Sequence, residues 1–478
     1  MKIYNTLTKQ KEEFIPREGK KIKMFVCGPT VYDYIHIGNA RSFVFFDVVA
    51  KYLRHSGYEV EYIQNITDID NKIIERAQEE NINPLEYAKK YSEIFQEDMR
   101  SLGVTSPEYK NATDHIPEVI KQVQTLLDKG NAYIIDNDPE PQQVGYGAGG
   151  IYFDLSTFPD YGKLSGRTAK MADDAVSRID ENDQKRNKGD FCLWKISKPG
   201  EPSWETELGK GRPGWHIEDT AITEKYFGPQ YDLHGGGQDL IFPHHEAEIA
   251  QQESASGLKP FVKYWMHSGF LVNKEKKMSK SLGNFLTLNE ALKNYSPETL
   301  RFYFLSAHYR SPLDFSEEIL KQAEAAVARL GEFKYKIKII AETEEKGGII
   351  SDDTFNKFFN DLTKNFQEGM NDDFNTPKAL ASLFQAVKNW HLISSGGVIS
   401  KDRAKEIITI LAEINQILGV IPEKVIKISK KMENLIEERE KARETKDFAV
   451  ADQLRSQIES LGYQIDDTIY GPLVKKKG

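Results

Sequence analysis

Lys21-Ile22-Lys23-Met24-Phe25-Val26 is a short, largely apolar run, and Cys27-Gly28-Pro29-Thr30 breaks it. A run of this length bounded by turn residues reads as a buried strand. A helical pattern follows from about Asn39 to Arg54, then a second strand over Glu59 to Ile66 and a second helix over Ile69 to Glu80. Strand, helix, strand, helix is the opening of a doubly wound parallel sheet. The expected fold class is therefore α/β, with a Rossmann-like sheet at the front of the chain.

Working outward, the pattern changes twice. Asp136 to Gly150 is rich in Asp, Pro, Gln and Gly and reads as an exposed loop inside an insertion. Residues 151–218 read as irregular, and helical periodicity returns near Pro243 to Gln252. From about Ser316 the chain becomes Glu/Lys/Ala/Leu-rich, with apolar residues three or four apart. Thr376-Pro377 reads as an N-cap and first-turn pair, and Gly347-Gly348 and Gly396-Gly397 as turns between helices. A last helical stretch over Lys424 to Leu461 ends at Gly462 and a short tail. The expected division is 1–114 with 226–270 for the α/β domain, 115–225 for the insertion, 271–315 for a polar loop region, 316–422 for a helical bundle, and 423–478 for a C-terminal unit.

Composition narrows the function. At 478 residues the chain has room for about three domains. Hydrophobic residues make up 39% and charged residues 29%, which excludes wholesale disorder. No apolar run approaches the ~18 residues of a membrane span, so no membrane role is expected. The first residues are mixed charged and polar, without a signal or transit pattern. Two cysteines, Cys27 and Cys192, cannot make a disulfide scaffold, and a reducing, cytoplasmic setting is expected. A net charge of −9 excludes a uniformly basic binder but leaves room for a local basic face that holds RNA.

Three groups of residues carry chemistry. His36-Ile37-Gly38-Asn39 stands at the start of the first helix, where free N–H groups and the helix dipole suit a phosphate. Alone, it reads rather as a His in an ordinary strand-to-helix loop. Lys277-Met278-Ser279-Lys280-Ser281 follows the apolar Phe270-Leu271-Val272 and reads as a mobile cationic clamp, or, by itself, as a solvated lysine-rich turn. His244 and Glu248 stand four apart on a helical pattern and so share a face. With a thiolate from Cys27 they make a set that zinc accepts. Cys192, between Phe191 and Leu193-Trp194, reads as core.

Taken together, His36-Ile37-Gly38-Asn39 and Lys277-Met278-Ser279-Lys280-Ser281 resemble the two signature motifs of class I aminoacyl-tRNA synthetases. The intervening strings resemble the cysteinyl branch of that family. They include Phe25 to Asp33, Asn65-Ile66-Thr67-Asp68-Ile69-Asp70, Lys210 to Glu218, His234 to Leu240, Phe242-Pro243-His244-His245-Glu246 and His308 to Leu313. Asp447 to Asp452 and Asp467-Thr468 are similar to its C-terminal signature, so the likeness runs from about residue 3 to 471. It implies an ATP-dependent cysteine–tRNA ligase that forms cysteinyl-adenylate and passes cysteine to tRNA(Cys), with Mg²⁺ accompanying the ATP. His36, Lys277 and Lys280 are implied as catalytic, and Gly38, Asn39, Gly236, Asp239 and Lys280 as ATP-binding. Gly28, Thr30, Thr67 and Trp215 fall around the amino acid. The helical bundle would lie along the tRNA and the segment after 423 would reach the anticodon; a monomer is expected. The family's zinc ligands fall on Cys27, Asp219, His244 and Glu248. Position 219 departs from the pattern, which commonly has Cys, although Asp is itself a competent ligand. Asn39 departs too, where the motif often ends in His. A related ligase joining cysteine to an amino sugar, and a non-catalytic RNA-binding paralogue, are the rival readings; the helical half argues against the first, and His36 with Lys280 against the second.

Overall fold

The computed structural model describes residues 1–135, 149–167, 184–273, 276–277, 286–342, 351–394, 399–423, 429–468 and 471–476. The loop expected over Asp136–Gly150 lies almost wholly outside them, as do the Gly347-Gly348 and Gly396-Gly397 turns and Met278 to Ser281.

A hairpin of β1 (Lys2–Asn5) and β2 (Gln10–Glu13) precedes β3 (Lys21–Val26), α1 (Ile37–His55), β4 (Glu59–Ile66), α2 (Asn71–Glu79), α3 (Pro84–Ser101) and β5 (Glu108–Asn111). The strands β3 and β4 span the residues expected of them. Each enters from an exposed end and becomes buried towards its C-terminus. The helix α1 is buried on most sides, from Ile37 to Leu53, which marks a core helix rather than a surface one. Polar caps set the neighbouring helices: Asp70 accepts from Lys72 N, and Asn83 accepts from Leu85 N ahead of Pro84.

The insertion follows, with α4 (Ile116–Asp128), β6 (Ala132–Ile135), β7 (Gly150–Phe153), β8 (Phe191–Ile196) and β9 (Gly211–Pro213). These four strands form an antiparallel sheet in the order β6-β7-β8-β9. The reading of 151–218 as irregular is therefore corrected. The strands are short, and glycines inside them look like loop residues. They are instead close-approach points: a Cβ at Gly150 would stand 2.7 Å from Trp194 O, and one at Gly211 only 2.5 Å from Lys195 O. Phe153 and Phe191 stack across this sheet with ring centroids 5.0 Å apart.

The chain then returns through α5 (Ile217–Phe227), β10 (Tyr231–Gly237), α6 (Glu246–Ser256) and β11 (Val262–Ser268). The central sheet has the order β11-β10-β3-β4-β5, and every pairing is parallel. From β3 the chain winds first to one side and later to the other. The place where the winding reverses lies between the C-terminal ends of β3 and β10, and ligands bind in that crevice in such sheets. Two short strands, β12 (Leu271–Asn273) and β13 (Lys276–Lys277), pair with each other, and β12 also pairs in parallel with Leu313–Asp314.

Contacts gather the chain into two units. The first is Met1–Pro297 with Ala307–Ser316 and Asn371–Asn375. The second is Glu298–Ser306 with Glu317–Met370 and Thr376–Gly478, and it is mostly helical. In it, Arg301 is buried and donates to Leu418 O at 2.7 Å. The helix Thr376–Ser394 begins at Thr376 with Pro377 in its first turn, and the Thr376 hydroxyl donates to Leu305 O. The continuous helix expected over Lys424 to Leu461 is two helices, Lys430–Glu444 and Phe448–Ser460, parted at Lys446 with its φ of +62°. The tail expected after Gly462 is a hairpin, Tyr463–Thr468 against Gly471–Lys476. Met432, Ile458, Ile465 and Val474 form its small core.

Candidate active site

A pocket of about 450 Å³ opens at the reversal point, between the ends of β3 and β10. Its lining includes Cys27, Gly28, Thr30, His36, Gly38, Asn39, Thr67, Trp215, Asp219, Gly236, Asp239 and His244. Nearly every site residue expected from the sequence is thus gathered in one cavity. Lys280 lies outside the described residues. Of Lys277 the backbone belongs to β13 and the side chain is not described.

One end of the pocket is built from backbone. His36 caps α1, and its Nδ1 accepts from Gly38 N at 2.9 Å, so the neutral ring carries its proton on Nε2. A Cβ at Gly38 would meet His36 Nδ1 at 2.8 Å and Leu271 Cβ at 3.6 Å. Opposite, β10 presses directly on α1: a Cβ at Gly235 would stand 2.4 Å from the Phe46 ring. The result is a helix N-terminus facing a glycine strand, a surface that accepts a phosphate and a flat nucleoside.

The other end is built from buried side chains. Cys27 Sγ lies 3.3 Å from Asp219 Oδ2 and 3.7 Å from Glu248 Oε1. His244 Nε2 lies 3.0 Å from Asp219 Oδ2 and 2.9 Å from Glu248 Oε1. The loop after β3 supplies Cys27, the first turn of α5 supplies Asp219, the turn Ile241–His245 that leads into α6 supplies His244, and the first turn of α6 supplies Glu248. His216 holds the far side of His244, Nδ1 to Nδ1 at 2.7 Å, and the Trp215 ring lies over it with centroids 4.8 Å apart.

Burying these donors together is electrostatically costly. Burial, then Glu248 and Asp219, push the Cys27 thiol well above its usual pKa. Burial raises Glu248 to about 8 in spite of His244. Burial also opposes charge on His244, yet Glu248 and Asp219 hold its pKa up to about 10. Asp219 Oδ1, fully buried, accepts no hydrogen bond among the described residues. A thiol, an imidazole and two carboxylates packed this closely fit a divalent cation that takes S, N and O donors.

Several residues here escaped the sequence reading. His245 places Nε2 3.2 Å from Cys27 Sγ, and Cys27, His244, His245 and Glu248 offer donor atoms all within 4.8 Å of one another. His245 is therefore a second candidate for the place given to Asp219. Glu218 is buried and accepts a hydrogen bond from the Thr67 hydroxyl, and burial raises its pKa. Asn65 accepts from Gly28 N at 2.6 Å and donates to Thr67 Oγ1, which fixes the wall beside the donors. Their signal in sequence is that each stands beside or near Asp219, His244 or Thr67, inside a string that resembles the family.

Residues 13–325 match the catalytic domain family of class I (C) tRNA synthetases, and residues 365–422 match the DALR domain family. The chain is 45% identical over 477 residues to the cysteine–tRNA ligase of Carboxydothermus hydrogenoformans, covering 98% of this chain and 99% of that one. It belongs to the cysteine–tRNA ligase family. The corresponding ligase of Clostridioides difficile is 43% identical, covering 98% of this chain and 99% of its own, and that of Methanococcus maripaludis 41%, covering 100% and 99%. Among solved structures, the Mycobacterium tuberculosis methionyl-tRNA synthetase bound by methionyl-adenylate superposes with a TM-score of 0.61 at 16% identity, covering 85% of this chain and 93% of that one. A leucyl enzyme of Agrobacterium radiobacter reaches 0.62 at 10%, covering 86% of each. At those identities the likeness speaks for the fold: a class I synthetase sheet followed by a helical half.

Proposed function

We propose that this member of the cysteine–tRNA ligase family activates L-cysteine with ATP, accompanied by Mg²⁺, and transfers it to tRNA(Cys). In the first step the cysteine carboxylate attacks the α-phosphate, a P–O bond forms, and pyrophosphate leaves. In the second, a hydroxyl of the 3′-terminal ribose attacks the adenylate carbonyl and AMP leaves. His36, through Nε2–H, and the N-terminus of α1 at Gly38 and Asn39 stabilise phosphate charge; Gly236 and Asp239 seat the adenosine; Lys277 and Lys280 bring cationic charge to the phosphates. Gly28, Thr30, Thr67 and Trp215 enclose the amino acid.

The observation that carries this reading is that a buried thiol–imidazole–carboxylate floor and a helix N-terminus open on the same pocket. Cys27, Asp219, His244 and Glu248 would hold one zinc. When bound, zinc supplies a Lewis acid that favours a thiolate over a hydroxyl, which distinguishes cysteine from serine where pocket shape discriminates poorly. Among the described residues no helix is long and apolar enough to cross a membrane. The free Cys27 suits a reducing compartment, the cytoplasm. In this division of labour residues 1–114 and 226–270 form the catalytic domain, Trp215 and Asp219 of the insertion and Lys277 and Lys280 of 271–315 complete its site, 316–422 lie along the tRNA and 423–478 reach the anticodon.

The test is cysteine-dependent exchange of pyrophosphate into ATP by the purified chain, then charging of tRNA(Cys). Exchange with cysteine but not serine, followed by charging, is expected. Exchange without charging would favour the amino-sugar ligase, and no exchange at all the non-catalytic paralogue.

A further inference from the structure

Arg41 stands one turn into α1, and no step above uses it. It is 1% exposed, and its guanidinium donates to five backbone carbonyls. Nη1 reaches Gly269 O at 2.9 Å and Phe270 O at 3.0 Å. Nη2 reaches Ser311 O at 2.7 Å, His308 O at 3.2 Å and Tyr309 O at 3.5 Å. The two segments are themselves joined, with Gly269 N donating to Tyr309 O at 2.7 Å.

The location gives this arrangement meaning. Gly269, Phe270 and Leu271 line the pocket, and so do His36, Gly38 and Asn39 on the helix that carries Arg41. The residues that face the nucleotide from α1 and the wall across from them are therefore tied through one side chain. A planar guanidinium serves such a set because its donors point outward in a fixed fork; an ammonium of similar charge has three rotatable donors and cannot span both segments. Gly269 is fitted to the same junction: a Cβ there would stand 2.6 Å from Ser311 O and 2.8 Å from Arg310 O.

We propose that Arg41 is a positioning residue for adenylate formation: it sets the width of the nucleotide end of the pocket by fixing the Gly269–Phe270 wall against the N-terminus of α1. This rests on the ligase reading above. Its five carbonyl partners belong neither to the donor floor at Cys27 and His244 nor to the Thr67–Trp215 side, so its effect is expected at the phosphate end.

The experiment is steady-state pyrophosphate exchange by wild type and Arg41→Lys, with each variant's folding checked by circular dichroism. Misplacing a reacting group by about 1 Å costs about 10²-fold, so kcat is expected to fall by about that factor while KM for cysteine stays within about twofold. Gly269→Ala shifts the same wall from its other side, and the same split between kcat and KM is expected; it decides the matter if Arg41→Lys does not fold. Exchange by either folded variant within about threefold of wild type, or an equal loss in cysteine binding and turnover, would overturn the role. Wild type with no exchange would instead overturn the ligase reading itself, so the two failures are distinct.

Discussion

At the floor of the pocket, Cys27, Asp219, His244 and Glu248 arrive as buried side chains from three separate segments. At the nucleotide end, the chain presents mostly backbone: the capped start of α1, the Gly235-Gly236-Gly237 strand, and a wall held by carbonyls. The floor works by donor chemistry and tolerates a change of residue if the new one can still donate. The nucleotide end works by close approach and tolerates almost no added atoms. A Cβ at Gly28, which joins the two ends, would stand 1.7 Å from Asn65 O. The difference predicts that damage at the floor reads out as substrate affinity and metal content, while damage at the nucleotide end reads out as turnover.

The largest effect tests the nucleotide end alone. On the proposed reading Lys280→Ala removes a charge that would engage phosphate in the transition state, so kcat for pyrophosphate exchange should fall on the order of 10³-fold. KM for cysteine should hold within about twofold. Unchanged turnover would remove Lys280 from the reaction, and a parallel rise in the cysteine KM would erase the contrast between the two ends.

A second test asks whether both ends are complete without the C-terminal helices. The segment after Pro422 has its own small core at Met432, Ile458, Ile465 and Val474, and the buried Arg439 pairs with Asp467 inside it. A chain ended at Pro422 and shown to be folded should exchange pyrophosphate within about twofold of the full chain. Charging of tRNA should fall by about 10²-fold, the loss expected when a second linked binding module is removed. Equal loss of both reactions would contradict the division.

The third test is on the floor. Asp219→Ala should lower zinc per chain, read by elemental analysis, and raise the cysteine KM together. Even partners outside the ligand shell are worth about 10- to 100-fold in metal affinity, so at least that is expected here. Asp219→Cys should keep both, because a thiolate brings the same charge and a softer donor. Full zinc retention in Asp219→Ala would move the fourth place to His245, whose Nε2 already stands 3.2 Å from Cys27 Sγ.

What could be read from sequence follows the same contrast. The strands at Lys21–Val26 and Glu59–Ile66 were legible because apolar runs end at turn residues, and His244 with Glu248 because an i, i+4 spacing fixes a shared face. The antiparallel insertion sheet was not, because its strands are three to six residues long and carry glycines where backbones touch. The C-terminal hairpin was masked by its polar residues Gln464, Asp466, Asp467, Lys475 and Lys476. Asn65, Glu218, His245 and Arg41 act through burial and through partners 37 to 270 residues away, which no local pattern records.

The smallest effect separates a metal-site thiol from a core thiol. Cys192 lies on β8 at 6% exposure, packed with Tyr133, Ile135 and Tyr152 in a cluster that includes none of the floor donors. Cys27, at a similar 5% exposure, is surrounded by carboxylates and imidazoles. Burial alone therefore does not tell the two sulfurs apart; their neighbours do. Cys192→Ser places a hydroxyl where a weakly polar sulfur packs, and should cost about 1–3 kcal/mol of stability in denaturant unfolding. Zinc content and cysteine-dependent exchange should stay at wild-type levels. Cys27→Ser should do the reverse, weakening the metal site and the cysteine KM. A fall in zinc on Cys192→Ser would mean that the second thiol reaches the site, and the four-donor floor would have to be redrawn around both cysteines.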